Sequence, residues 1–324
     1  MKHRVTRREF LAGLGALSAG ITAASFPANA RSLQSLLYPP MDLAYFDKAI
    51  GRAAADIRIG YAAITWGDHE KQAIEDISSV GYKGIQLRAN AVRDFESAAL
   101  RDLLQQYQLR MVALSSGDVH IDPALRTKDI ALHAANAKFV HDVGGLYLQV
   151  IDQEPKSRSI TAADYKNLGR LLTEIGKQTA DLGITLGYHN HLNSISESPE
   201  GLERLLDAAD PRYAKLELDI AHYQAGGGNP VKAIEEHHDR LLFLHIKDLG
   251  EPGPNPEDPK NAENFLELGR GKVDLPAVFA ALHKVKFRGW AIVELDHEPD
   301  KSRTPKESAM ISKQYLEEKL GVAL

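Results

Sequence analysis

From residue 57 onward the chain alternates short apolar or β-branched runs with longer amphipathic segments, eight times over. The strand candidates are IRIGYAAI (57–64), KGIQLRA (83–89), RMVALSS (110–116), GLYLQVI (145–151), ITLGYHNH (184–191), AKLELDIA (214–221), LLFLHIKD (241–248) and GWAIVELD (289–296). Between them lie helical patterns such as HEKQAIEDISSVG and DYKNLGRLLTEIGKQTADLG, several closing on Gly just before the next strand, as helix C-caps do. Eight strand–helix units over roughly 260 residues predict the α/β class and a single-domain (β/α)8 TIM barrel over 57–324. A doubly wound open sheet is the competing architecture. It requires a Gly-rich dinucleotide turn after the first strand, and ITWGDHE has none.

The first thirty residues are read differently. MKHRVTRREFLAGLGALSAGITAASFPANA has a basic start, a weakly apolar stretch and an Ala28-Asn29-Ala30 cleavage site, the plan of a secretory signal. Arg7-Arg8 ahead of Glu9-Phe10-Leu11 resembles a twin-arginine signal, which sends folded proteins across a bacterial inner membrane. Residues 1–30 are thus expected to be cleaved, 31–56 to form an N-terminal extension, and the mature protein to be periplasmic. No other apolar run approaches the ~20 residues needed to span a bilayer, so no membrane attachment is expected after cleavage. Removing the segment takes the formal charge from −5 to about −8, because it carries Lys2, Arg4, Arg7 and Arg8 against Glu9. An acidic chain has no footprint for a nucleic-acid backbone. The absence of cysteine excludes disulfides, thiol nucleophiles and thiolate metal sites.

In a barrel, polar residues at the C-terminal ends of the strands converge over the mouth. Strand five ends in His189-Asn190-His191, strand six in Asp219 with His222 beyond it, strand seven in His245, Lys247 and Asp248, and strand eight in Glu294 and Asp296. Alternation puts Glu217 with Asp219, His245 with Lys247, and Glu294 with Asp296 on common faces. Four successive strands ending in imidazole or carboxylate supply N and O donors for one divalent ion: Mn, Zn, Co, Fe or Mg.

Asp219-x-x-His222, the HIKD of 245–248, LGRGKVDL (268–275) and the closing GWAIVELD resemble the xylose isomerase-like TIM barrels, the sugar phosphate isomerase/epimerase family, and YHNH resembles one branch of it. The resemblance spans roughly 57–320. It implies one metal at the barrel mouth, with Asp219, His245 and Glu294 at the matching ligand positions. Ketose epimerases of the family carry a further ligand glutamate on strand five. That position falls near Gly187 here, so His189 is preferred as fourth ligand, with His191 or Glu197 as alternatives. The implied activity is a sugar isomerase or epimerase working by enediolate proton transfer on a keto- or aldo-sugar or cyclitol. The replacement of glutamate by histidine makes a lyase or hydrolase of 3-keto-glycosides, or a keto-inositol dehydratase, the strong competitor. A non-catalytic periplasmic sugar-binding protein and a multi-metal apurinic endonuclease are the readings from other classes.

Within this scheme Glu294, His189 and Lys247 are the expected catalytic residues. His191, His222, Gln86, Trp66 and Arg270 are the expected substrate contacts. The partner is a small sugar or cyclitol, with neither nucleic acid nor membrane; a homo-oligomer is compatible. Gln86 and Arg88 are assigned opposite orientations, so only one, preferably Gln86, faces inward. Asp118 and His120 are further candidates, His237-His238 is read as surface charge, and GEPGPNPEDPKNAEN (250–264) as a lid or plain surface loop.

Overall fold

The structure, a computed structural model, describes residues 55–155, 157–251 and 264–324. The expected signal segment, all but the last two residues of the expected extension, and the interior of the 250–264 insertion with its lid reading lie outside the described residues.

Seven strands run from β1 (Asp56–Ala62) through β2 (Gly84–Arg88), β3 (Arg110–Val119), β4 (Tyr147–Asp152), β5 (Thr185–His189) and β6 (Ala214–Asp219) to β7 (Leu241–Ile246). A short antiparallel hairpin follows, β8 (Asp248–Leu249) with β9 (Phe265–Leu266), and then β10 (Arg288–Val293). Strands β1 to β7 and β10 form a closed parallel barrel, with β10 returning to β1 so that Asp56 lies opposite Arg288. The eight expected strands are the eight of the barrel, their ends differing by a few residues.

The helices are α1 (Glu70–Val80), α2 (Ala91–Asp94), α3 (Ser97–Gln106), α4 (Arg126–Val143), α5 (Ala162–Asp181), α6 (Pro199–Ala208), α7 (Ile220–Ala225), α8 (Pro230–Glu236), α9 (Leu275–Lys284) and α10 (Pro305–Leu320). Their ends are written in the sequence. Thr161 with Asp164 and Thr304 with Glu307 form capping boxes that satisfy the first amides of α5 and α10. Gly144 ends α4 at φ 86°, a left-handed turn that costs glycine nothing.

Period-two alternation sorts each strand into an outer and an inner row. The outer row, including Ile85, Leu148, Leu186, Leu216, Leu244 and Val293, is buried beneath the helices. Each such side chain contributes about 1.5–3 kcal/mol of burial. The inner row begins with an apolar layer in which Val112, Phe243, Trp290 and Ile292 cluster, Tyr147 stacking on Phe243. Two residues further along the same strands the inner row turns polar, with His245 above Phe243 and Glu294 above Ile292. The barrel is therefore a packed plug with a polar cap, not a pore.

Asp248, the last residue of HIKD, organises the next loop. Its Oδ1 accepts the amides of Leu249 and Val273 (both 2.9 Å), and its Oδ2 those of Gly269 (3.0 Å) and Gly271 (2.8 Å). LGRGKV thus wraps a buried carboxylate, and a Cβ on Gly271 would come within 2.4 Å of Asp248 Oδ1.

Candidate metal centre and active site

In YHNH the two histidines and the asparagine have different tasks. Asn190 points sideways to β6, accepting the Asp219 amide on Oδ1 (2.9 Å) and donating Nδ2 to the Asp219 carbonyl (3.1 Å). It extends the ladder where the strands end and fixes the Asp219 backbone. Asp219 in turn caps α7, its Oδ1 accepting the amides of Ala221 (2.9 Å) and His222 (2.8 Å). Its Oδ2 is buried and lies 3.1 Å from the Lys247 ammonium. His245 lies opposite Asp219 in the β6–β7 register. Gln86 reaches across the barrel from β2, its Nε2 donating to Ser115 Oγ (2.9 Å) and its Oε1 lying 2.8 Å from His245 Nε2. Donation from Nε2–H leaves His245 Nδ1 facing Glu294 Oε1 (3.2 Å) and Asp219 Oδ2 (3.7 Å).

His189, Asp219, His245 and Glu294 each offer a ligand atom, all within 4.8 Å of one another and all four residues buried. The fit to a divalent ion rests on orphaned atoms. His189 Nδ1 and His245 Nδ1 are buried without hydrogen bonds, a costly arrangement for polar groups that a cation would relieve, and Asp219 Oδ2 beside them meets the Lys247 ammonium at 3.1 Å. Two imidazoles and two carboxylates form the mixed N/O set that suits Zn, Mn, Co or Fe. Gln86 on the far nitrogen of His245 is the outer partner that orients a metal-binding imidazole.

The charges are set by burial and by each other. Burial, reinforced by His245, holds the His189 pKa well below the usual imidazole range, which leaves a neutral ring with a free lone pair. Burial alone would push Asp219 and Glu294 up, but Lys247 overrides it for Asp219, and His245 with Lys247 for Glu294, so both are held well below the usual carboxylate range. Against its own burial, His245 is raised by Glu217 and Glu294.

Lys247 does not snorkel to solvent. It is completely buried, with Nζ 2.8 Å from Glu294 Oε1, 3.1 Å from Asp219 Oδ2 and 4.5 Å from the Phe265 ring centre. Of the alternatives for the fourth ligand, the clustered one is His189. His191 belongs instead with His189 and His222, its ring centre 3.7 Å from that of His222. Glu197 accepts the Asn193 amide at 2.6 Å and stays outside the cluster.

One carboxylate was missing from the expected set. Glu217 is fully buried, its Oε1 2.6 Å from His245 Nε2 and 3.8 Å from His189 Nδ1, and burial raises its pKa to about 7 with His245 pulling back. A Cβ on Gly187 would lie 3.2 Å from Phe243 Cε1 and 3.4 Å from Leu242 Cδ2, with Glu217 Cβ at 3.6 Å, so the space beside the glycine is closed mainly by β7. The signal was available: Glu217 shares the inner face of β6 with Asp219.

A cavity of about 270 Å³ opens over the set, bordered by Arg88, Asn90, Ser115, Gln149, His189, His191, His245, Glu294 and Asp296 among others. Arg88 corrects the expectation for β2. Residues two apart share a face, so Gln86 and Arg88 both turn to the mouth. Trp66, expected to stack on a sugar, is not among the residues that border this cavity. Its ring is buried edge-on to Tyr61, with Nε1 donating to Asp76 at 3.0 Å. Arg270 is half-exposed beside Glu267 and does not border the cavity either. Asp118 and His120 border a separate cavity along the rim. His237 and His238 follow α8 near the surface, as expected.

The family model for xylose isomerase-like TIM barrels matches residues 74–318. The chain belongs to the xylose isomerase-like TIM barrel family. Within that family it is 25% identical to an inosose dehydratase of Geobacillus kaustophilus, covering 80% of this chain and 94% of the relative. It is 26% identical to the rhizopine catabolism protein MocC of Rhizobium meliloti, covering 79% and 87%. Among solved structures, the IolI protein with a bound zinc atom superposes with a TM-score of 0.68 at 18% identity, covering 80% of this chain and 96% of that one. A D-allulose 3-epimerase from Methylomonas superposes with a TM-score of 0.66 at 20% identity, covering 81% and 98%. These likenesses to solved structures bear on the fold alone.

Proposed function

We propose that this protein is a divalent-metal-dependent lyase that eliminates a β-substituent from a keto-cyclitol or keto-sugar. The observation that carries the reading is the one-sided placement of the carboxylates that border the cavity. Among the described residues, the carboxylates bordering the cavity are Glu294 and Asp296, both at the end of β10, and Lys247 sits 2.8 Å from Glu294. Glu217 lies behind His245 and does not border the cavity. The inosose dehydratases among the relatives support the same reaction class.

A divalent ion held by His189, Asp219, His245 and Glu294 supplies Lewis-acid polarisation of the substrate ketone. Glu294, with Oε1 held by Lys247, takes the proton α to the ketone on Oε2. The electron pair released forms the C=C bond as the β C–O bond breaks. Protonated Glu294, which borders the cavity, gives that proton to the departing oxygen, so water or an alcohol leaves, while the buried Lys247 ammonium holds Oε1. His191 and Arg88 border the cavity and contact the hydroxyls; Asn190 and Gln86 orient Asp219 and His245.

His191 supports a second reading. It faces Glu294 from the β5 side of the same cavity and would return the proton to the opposite face, giving the isomerase or epimerase. The test is proton NMR of metal-loaded protein with a keto-cyclitol and a 3-keto-glucoside in deuterated solvent. A lyase gives an unsaturated ketone and free water or alcohol. An intact epimer carrying one solvent deuterium would replace this reading by the second, and binding without exchange would leave a sugar-binding protein.

The same reading takes the mature chain to be periplasmic. Arg7-Arg8 and Ala28-Asn29-Ala30 support it, and no helix among the described residues is long and apolar enough to cross a membrane. Cell fractionation with Arg7→Lys/Arg8→Lys as the export-blocked control checks it.

A further inference from the structure

The candidate ligands occupy only part of the mouth. His189, Asp219 and His245 lie on β5, β6 and β7, and Glu294 follows β10. The barrel order runs β10-β7-β6-β5-β4 one way and β10-β1-β2-β3-β4 the other, so β4 stands diametrically across the mouth from β10. A ring held at the ligand set with its α-carbon at Glu294 therefore turns its far edge to β3 and β4.

The polar side chains bordering the cavity on β2, β3 and β4 and just beyond them are Arg88, Asn90, Ser115 and Gln149. Arg88 is engaged, donating from Nη1 to the Gly67 carbonyl at 3.1 Å, and Asn90 lies against the Glu70 carboxyl, whose pKa it lowers. Gln149 is placed differently. It sits two residues beyond Tyr147, whose ring stacks on Phe243, and so begins the polar level of β4 directly above the apolar layer. In register it has Ser115 on one side and Gly187 on the other, a hydroxyl and a bare backbone. Its side chain is 4% exposed, yet its carboxamide makes no hydrogen bond among the described residues. Ser115 Oγ accepts Gln86 Nε2 at 2.9 Å, which leaves the serine's own proton to give.

A carboxamide offers two donors and an acceptor, and a hydroxyl both gives and takes a hydrogen bond. A methylene in the same place would leave the buried amide without a partner, at the cost of its desolvation. We infer that Gln149, assisted by Ser115, is a specificity-determining residue of the mouth: it binds a hydroxyl on the edge of the substrate ring farthest from Glu294. The inference rests on the metal-dependent reading of this site and holds for elimination and for proton transfer alike.

The test is steady-state turnover by manganese-loaded protein of an inosose and of its deoxy analogue lacking the hydroxyl across the ring from the ketone. The wild type is expected to favour the intact inosose by about 10- to 100-fold in kcat/KM, and Gln149→Met to bring the two within about threefold, chiefly by slowing the intact one. Gln149→Asn keeps the amide but withdraws it by a methylene, and should lose most of the preference too. Metal affinity, read by competition with a chromogenic chelator, should be unchanged in both variants. A residue that only packs would slow both ketones alike. No preference in the wild type, or one that survives in both variants, would thus overturn the inference and leave the proposed function standing. Turnover of neither ketone by the wild type would overturn the proposed function and this inference with it.

Discussion

Replacing Lys247 by methionine keeps the aliphatic stem and removes a cation that two buried carboxylates share. Nζ lies 2.8 Å from Glu294 and 3.1 Å from Asp219, and Lys247 and Asp219 are completely buried. At such distances each pair is worth roughly 5 kcal/mol at an effective dielectric constant near 20. Desolvation of the ammonium offsets several kcal/mol of that, so breaking the arrangement by removing one partner is expected to cost about 3–5 kcal/mol. For a domain of this size that corresponds to a melting temperature lower by roughly 6–15 °C. A divalent ion on the same carboxylates supplies the missing charge. The Lys247→Met variant should therefore lose most of this stability in chelator and regain much of it with saturating manganese or zinc, so that its metal-induced rise in melting temperature exceeds that of the wild type. Circular-dichroism melts of both proteins in the two conditions measure it. An equal loss with and without metal would refute the idea that ammonium and ion share Asp219 and Glu294. No loss in chelator would refute the electrostatic account altogether.

Two further outcomes are expected. Burial raises the Glu70 carboxyl to about 7 from 4.5, with Arg88 and Asn90 pulling it back, so its favourable contribution is fully present below about pH 4.5 and is lost as the pH rises through 7. Glu70→Gln should thus match the wild type near pH 4 and exceed it by up to about 3 kcal/mol at pH 8, read by urea denaturation; an equal gain at both pH values would show that burial of the charge is not the cause. Gln86→Leu should weaken metal binding about 10- to 100-fold by releasing His245 Nε2, measured by competition with a chromogenic chelator; unchanged affinity would mean that Glu217 alone orients the ring.

The barrel was legible because parallel strands covered on both faces read as nearly continuous apolar runs, as LLFLHI and GWAIV do. The candidate site was legible because His245 and Glu294 interrupt those runs at one end only. Depth and direction were not. Trp66 follows β1 like a mouth residue, yet its short 3₁₀ turn carries the indole to Asp76 of α1. Asp248 completes HIKD yet turns away to bind the loop amides around Gly271. Gln86 and Arg88 obey simple alternation, and only the structure shows that one reaches His245 while the other lines the cavity wall. Such choices depend on the stagger between strands, which a single strand's sequence does not contain.

Stagger also resolves what Gly187 and Glu217 mean together. Gly187 pairs with Lys215 and His189 with Glu217, and a Cβ on Gly187 would meet Phe243 Cε1 at 3.2 Å and Leu242 Cδ2 at 3.4 Å before Glu217 Cβ at 3.6 Å, so β7 mainly closes the space beside the glycine. Glu217 lies at the level of Phe243 and acts on His245 Nε2 from behind, while the cavity is left with Glu294 and Asp296 on one wall and imidazoles on the other. Glu217 thus touches a candidate ligand's far nitrogen, while Glu294, the base of the proposed lyase, borders the cavity with Asp296 on one wall.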